Sequence, residues 1–213
     1  QAFKETEQLI LEINLSDPAT IAQYQQGMML PAGKELKDFF NNAEEYETFS
    51  VKLKNRIGID AALFQNLKPL ILLSLIAQKG FECENTSSYE MNLIEMSKER
   101  NMPVTGLETT LAQMKIFDEM KDSEISQILI EGIEDLGNDS KLQQQMIAAY
   151  RSQNISELHD LILSSKEFQN QEDVLINGRN REWVKKMPQF MKANSCFVAV
   201  GAGHLSGEQG VLN

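Results

Sequence analysis

Three short stretches of mostly aliphatic and β-branched residues interrupt a chain whose apolar residues otherwise recur at helical spacing. They are LILEINL at residues 9–15, PVTGLE at residues 103–108 and CFVAVG at residues 196–201. Runs of this length, bounded by turn or capping residues, are typical of buried β-strands. The pattern therefore predicts three strands separated by long helical segments.

Capping residues indicate where several helices begin. Asp17 followed by Pro18 supplies an N-cap and a first helical residue whose missing N–H costs nothing. Asn154 and Glu157 have capping-box spacing. Ser123 is predicted to cap a helix whose apolar stripe comprises Ile125, Ile128, Leu129, Ile133 and Leu136.

Other helices follow from apolar spacing alone. Tyr89, Leu93 and Met96 recur at helical intervals ahead of the second strand. A helix is predicted to begin near residues 138–142, and a long helix is predicted over residues 171–192, with a break near Gly178 or Pro188. The run at residues 69–77, PLILLSLIA, is less than half the roughly 20 residues of a membrane-spanning helix, so it predicts a buried helix and no transmembrane segment.

Strands separated by helices predict a helix-rich α/β fold with a small, at least partly parallel sheet. The many helices between strands predict a large inserted helical lobe, at about residues 18–101 and 109–192. We expect residues 1–213 to form a single domain that is truncated at both ends. The lead-in AFKETEQL has the pattern of a helix end, and Ser206 and Gln209 predict a helix that begins just after His204.

Composition narrows the choice of partners. The formal charge is −11 and the isoelectric point is near 4.7. Nucleic acid and anionic membrane surfaces are therefore not expected as partners, because binding phosphates requires clustered Lys and Arg. Cys83 and Cys196 are too few for a disulfide framework or a Cys-rich zinc site; they are either free thiols or one bridge.

One histidine stands where α/β proteins bind their ligands. His204 follows the third strand, behind Gly201 and Gly203, whose missing side chains permit unusual backbone angles and close approach. The N–H groups of the helix predicted after it would point into the same crevice. Imidazole is a common metal ligand and proton carrier. The alternative is a tight strand-to-helix turn with a surface or packing histidine.

Two glutamates accompany predicted strands. Glu12 lies in the middle of the first strand, where an ionised carboxylate needs a partner, a metal ion or a place at the strand end; the alternative is a solvent-facing residue of an edge strand. Glu108 ends the second strand, in the same position as His204 at the third. Its alternative role is an N-cap or first-turn carboxylate of the helix that begins near Thr109.

The segment INGRNREW supplies the remaining candidates. Arg179 would pair with a buried carboxylate or hold a substrate carboxylate, and the alternative is a surface arginine. Trp183 is expected in the core, beside Asn180. We interpret His159, at the margin of an apolar helix face, as structural. No nucleophile elbow, phosphate-binding loop, dinucleotide fingerprint, HExxH or CxxC motif occurs.

Taken in order, these motifs resemble the TraB/GumN family, which includes the Tiki proteins. The similarity lies in LILEINLSDP, YEMNLIEMSKERNMPVTGLETTLAQ, RNREW and CFVAVGAGHLSGEQGVL, spread over essentially the whole chain. Family members carry two Gly-x-x-His motifs and an acidic residue near the first. Here Gly201 to His204 match the second motif and Glu12 matches the acid; the first motif would fall upstream of Gln1. Arg179 with Asn180, and Glu108 with Gln113, match further family segments.

The resemblance implies a metal-dependent hydrolase, most simply a peptidase, that uses manganese or cobalt. It implies that His204 and Glu12 hold the ion, that Glu108 acts as a base or orients His204, and that Arg179 stabilises an oxyanion or binds a peptide terminus, with Gly201, Gly203, Asn180 and Trp183 as structural support. A peptide or another small molecule is the expected substrate, and an extracytoplasmic location is expected. The alternatives are a non-catalytic protein that sequesters such a ligand and, third, a scaffold whose helical lobe binds a partner protein.

Overall fold

Helices dominate the chain, and three short strands form its only sheet among the residues that the computed structural model describes, which are 1–80, 87–118, 120–136, 140–165 and 171–213. The strands are β1 (Gln8–Leu11), β2 (Val104–Gly106) and β3 (Cys196–Ala199). They are all parallel, in the order β2-β1-β3. The helix-rich α/β prediction is therefore confirmed.

The register of the sheet explains how its two faces are buried. In the central strand β1, Leu9 lies opposite Val104 and Phe197, and Ile10 lies opposite Thr105 and Val198. Successive strand residues point to opposite faces. One face carries a core of Phe3, Leu9, Leu11, Ile94 and Met102. The other face carries a core of Ile10, Leu107, Trp183 and Met187.

The described part of the chain contains nine α-helices. They are α1 (Pro18–Gly27), α2 (Ala43–Ile57), α3 (Pro69–Gly80), α4 (Tyr89–Glu99), α5 (Thr110–Asp118), α6 (Asp122–Asp135), α7 (Ser140–Arg151), α8 (Ile155–Ser164) and α9 (Gly178–Met191). Helix α4 contributes Ile94 to the first face of the sheet, and α9 contributes Trp183 and Met187 to the second. The sheet is therefore covered on both faces, as parallel sheets usually are.

Most predicted helix starts are confirmed. The Asp17 carboxylate accepts the Thr20 backbone N–H at 3.0 Å ahead of α1, and the Asn154 side chain accepts the Glu157 N–H at 3.2 Å ahead of α8. Ser123 as the cap of α6 is wrong, because α6 already begins at Asp122. The N-cap is Lys121, and the carboxylate of Glu124, three residues later, accepts its backbone N–H at 3.2 Å.

The long helix predicted over residues 171–192 is interrupted where a break was allowed. Residues Asp173–Asn177 form a π-helical turn that leads into α9. A side chain at Gly178 would place its Cβ 2.7 Å from the Asp173 carbonyl oxygen, which explains a glycine at this junction. Pro188 lies inside α9 and does not end it. Within the π-turn, the Leu175 carbonyl accepts a hydrogen bond from Arg179 of α9 at 3.1 Å.

The predicted helix after His204 is wrong in this chain. Residues Ala202–His204 form one 3₁₀ turn, and turns and bends follow to the end of the chain. Gly207 has a φ of +91°, which interrupts a right-handed helix, and the His204 carbonyl accepts the Val211 N–H at 2.9 Å. At the other end, Ala2–Glu5 is also a single 3₁₀ turn.

The chain divides into two compact units. Unit 1 contains Gln1–Gln23, Thr86–Gln113 and Gln144–Asn213, and therefore the whole sheet. Unit 2 contains Tyr24–Asn85 and Met114–Gln143. Its core joins α2, α3 and α6 through buried residues that include Phe49, Leu53, Leu72, Ile76 and Ile133.

Two further predictions concern this second unit and the cysteines. The apolar run at residues 69–77 forms part of α3, with Leu72 and Ile76 buried as expected. No helix in the described ranges combines the length and the apolar character needed to cross a membrane. Helix α7 begins at Ser140, within the range 138–142 predicted for its start, and residues 137–139 lie outside the described residues. Cys83 also lies outside them, so the pairing of Cys83 with Cys196 stays open.

Candidate functional site

The carboxyl edge of the sheet collects residues from all three strand ends. Glu12 is the first residue after β1, Glu108 lies two residues beyond β2, and His204 follows β3 by five residues. Because the strands are parallel, these three segments leave the sheet at one edge, which is the edge where open α/β sheets bind ligands. The prediction that Glu12 lies in mid-strand is wrong: β1 ends earlier, and this relieves the carboxylate of full burial.

Arg179, the second residue of α9, joins these side chains. Its Nη2 donates to Glu12 Oε2 at 2.6 Å and to Glu108 Oε1 at 2.7 Å. Its Nη1 donates to His204 Nε2 at 3.0 Å and to the Leu175 carbonyl at 3.1 Å, and its Nε donates to Glu108 at 3.2 Å. A guanidinium has five N–H donors, and these contacts give each of the five an acceptor. Arg179 is therefore the partner of buried carboxylates and not a surface residue.

Asn180 fixes the orientation of His204. The Asn180 Nδ2 donates to the carbonyls of His204 at 3.2 Å and Gln209 at 2.8 Å. These two bonds identify the amide nitrogen, so Asn180 Oδ1, which lies 2.7 Å from His204 Nδ1, accepts from that atom. The proton of the neutral ring therefore sits on Nδ1, and Nε2 presents its lone pair to Arg179.

His204 is neutral at physiological pH. The pKa of the imidazole is lowered to about 4, chiefly by burial and next by the nearby positive charge of Arg179, whereas the Glu12 carboxylate opposes both. Burial disfavours the charged ring because the interior solvates it poorly. The site consequently holds an uncharged imidazole next to a fully engaged guanidinium and two carboxylates.

Trp183 contacts Glu108, His204 and Arg179 from the core. It is fully buried, and its Nε1 donates to Glu108 Oε2 at 3.3 Å. Its ring lies 4.5 Å from the His204 ring, centroid to centroid, and the Arg179 guanidinium carbon lies 4.7 Å from the Trp183 ring centroid. The predicted core tryptophan is thus also a contact residue of the site.

At Gly201 and Gly203, neighbouring atoms lie too close for a side chain, whereas the backbone angles are ordinary. Gly201 has a φ of −54°, and the glycines with positive φ in the described chain are Gly33, Gly58 and Gly207. The expectation that Gly201 and Gly203 need unusual backbone angles is therefore wrong. A Cβ at Gly201 would lie 3.2 Å from Glu12 Oε1, and a Cβ at Gly203 would lie 3.0 Å from Ile162 Cδ1.

Two contacts at the site escaped sequence reasoning. The Gly201 N–H donates to Glu12 Oε1 at 2.7 Å, and the Leu175 carbonyl, in the π-turn, accepts from Arg179. Backbone groups of this kind leave no signal in residue type. Gln113, which the family segment singled out, donates to Glu108 at 3.2 Å. His159 is buried in α8 and faces Gly207, apart from these contacts.

A comparison with protein families identifies the family of the chain. The model of the TraB/PrgY/gumN family matches residues 1–213. The chain belongs to the TraB/PrgY/gumN family. No curated protein and no solved structure matches it. In this TraB/PrgY/gumN chain the four residues expected to carry chemistry, Glu12, Glu108, Arg179 and His204, are brought into one connected cluster.

Proposed function

We propose that this TraB/PrgY/gumN protein is a metal-dependent hydrolase of peptides or of another small molecule with a cleavable amide-like bond. The observation that supports the proposal is the neutral His204, whose Nε2 lone pair is aimed by Asn180 at the same edge of the sheet as Glu12 and Glu108. An oriented, uncharged imidazole beside carboxylates suits both metal ligation and proton transfer.

The chemistry of the donor set fits a divalent cation. Imidazole nitrogen and carboxylate oxygen suit manganese and cobalt, and a histidine whose other ring nitrogen is held by an amide oxygen has the arrangement typical of metal ligands. Glu12 and His204 would hold the ion. Among the described residues, no group of three or more His, Cys, Asp or Glu side chains is placed to hold it.

A bound divalent ion would supply an activated water and would polarise the scissile carbonyl. The other tasks belong to the chain. Asn180 keeps the ring proton of His204 on Nδ1, so Nε2 has the lone pair that would hold the ion. Glu108 holds Arg179, and Trp183 and Gln113 hold Glu108, so the carboxylate is fixed from three sides. The buried Trp183 ring packs against the imidazole.

The test compares the purified protein with His204→Ala, Glu12→Ala and the control Glu95→Ala, which removes an exposed carboxylate of α4. Bound manganese or cobalt and turnover of a peptide library are measured for each. We expect His204→Ala and Glu12→Ala to lose both, whereas Glu95→Ala keeps them. Equal metal content and turnover in all four proteins would exclude the proposed site.

A second candidate function is sequestration of a peptide or small ligand without turnover. The observation that favours it is the saturated guanidinium of Arg179, which already neutralises the carboxylates that an incoming ion would use. This function predicts that the protein protects one equivalent of ligand on prolonged incubation and forms no product. Product formation beyond one equivalent would eliminate it.

A further inference from the structure

The proposed metal ligands share one partner, and that partner is itself a cation. Arg179 Nη2 lies 2.6 Å from Glu12 Oε2, and Arg179 Nη1 lies 3.0 Å from His204 Nε2. These are the two atoms that a divalent ion would bind. The positive charge of the guanidinium is therefore placed where the charge of the ion would be.

The guanidinium is held firmly in this place. Glu108 accepts from both its Nε and its Nη2, the Leu175 carbonyl accepts from Nη1, and the Trp183 ring lies beneath it. The Arg179 side chain is only 14% exposed. An ion that approached Glu12 and His204 would meet a fixed like charge and two ligand atoms that are already hydrogen-bonded.

We propose that Arg179 is an internal competitor for the divalent cation, and that it must release Glu12 and His204 before the ion binds. This inference rests on the proposed metal-dependent function. When only a fraction of molecules has the binding-competent arrangement, the apparent affinity falls by that fraction. Arg179 thereby sets the metal affinity of the site without being one of its ligands.

The chain offers a matched control on the same helix. Arg181 is also in the first turn of α9 but is half-exposed, and it pairs with Asp173 at 2.8 Å and contacts neither Glu12 nor His204. Arg179→Met and Arg181→Met remove the same charge from the same helix. Only the first substitution frees the proposed ligands.

Cobalt(II) alone serves as the probe. Trp183 is the only tryptophan of the chain, and its ring lies 4.5 Å from the His204 ring, so its fluorescence reports a paramagnetic ion bound there. We expect Arg179→Met to bind cobalt at least about tenfold more tightly than the native protein, and Arg181→Met to bind like the native protein. Isothermal titration calorimetry provides the second readout.

If Arg179→Met folds poorly, urea unfolding with and without cobalt still tests the proposal. Cobalt should raise its urea midpoint more than that of the native protein, because a ligand stabilises the state that binds it. Arg179→Lys, which keeps a charge but cannot donate to all the acceptors at once, should bind cobalt with intermediate affinity. Equal, tight binding by the native protein, Arg179→Met and Arg179→Lys would overturn the competition and leave the proposed hydrolase intact. Binding by none of these folded proteins would overturn both.

Discussion

Replacing Arg179 with methionine tests whether the cluster at the sheet edge is held together by its central charge. Methionine keeps a long apolar stem over Trp183 but removes the five donors. Two carboxylates then lose their cation in places where Glu108 is 8% and Glu12 is 24% exposed. We therefore expect Arg179→Met to be markedly less stable than the native protein.

The size of the loss in stability depends on the hydrogen bonds that each carboxylate keeps. Removing one partner of a buried ion pair costs about 3–5 kcal/mol. Glu108 keeps its bonds from Trp183 and Gln113, and Glu12 keeps the Gly201 N–H. These remaining donors place the loss at the lower end, about 3 kcal/mol.

Urea unfolding at pH 7 in the presence of a chelator, followed by Trp183 fluorescence and by circular dichroism, measures the free energy of unfolding. The triple variant Glu12→Gln/Glu108→Gln/Arg179→Met removes the unpaired charges, and we expect it to recover more than half of the loss. Arg181→Met should leave the midpoint unchanged. A triple variant less stable than Arg179→Met, or native stability in Arg179→Met, would refute the reasoning.

Three other predictions concern separate parts of the molecule. Because the pKa of His204 is lowered from 6.5 to about 4 in the folded chain, the unfolded chain binds a proton at higher pH than the folded chain does. In the presence of a chelator, the stability of the native protein relative to His204→Gln should therefore fall by about 3 kcal/mol between pH 7 and pH 4 and then level off. A difference in stability that stays constant with pH would contradict this. Gly207→Ala should lower the free energy of unfolding by about 1–3 kcal/mol, because φ is +91° and the new Cβ would lie 2.5 Å from His159 Nε2. Adding His159→Ala should recover only the part of this loss that is due to the clash, as measured by thermal unfolding. In unit 2, Leu53→Ala should cost about 2–5 kcal/mol in urea unfolding, whereas Leu63→Ala, at a side chain 76% exposed, should change stability by less than about 0.5 kcal/mol; similar losses would contradict the core assignment.

Local signals were enough to predict most elements of the fold. Asp17 and Asn154 cap their helices as predicted because a side-chain oxygen one turn from a free N–H satisfies it regardless of the rest of the chain. The three strands and their parallel arrangement also followed from short apolar runs separated by helices. The capping pattern of Ser206 and Gln209 predicted a helix that does not form. The hydrogen bonds from Asn180 and the left-handed conformation of Gly207 outweigh that pattern.

The candidate site was only partly accessible from sequence. Position after a strand indicated His204 and Glu108, and the cost of burying a charge indicated Glu12. That these residues share a single arginine depends on where the fold places the start of α9. The pairing of Nε2 with a guanidinium likewise depends on the Asn180 amide. Such contacts arise from tertiary placement, which residue spacing alone does not specify.

The central position of β1 has a consequence for biosynthesis. Its residue Leu9 pairs on one side with Val104 and on the other with Phe197, so β1 leaves the ribosome before either of its two partner strands. Pairings between such distant segments form slowly. During synthesis Glu12 therefore emerges before Glu108, Arg179 and His204, and it lacks these neighbours until the segment that contains β3 has been made.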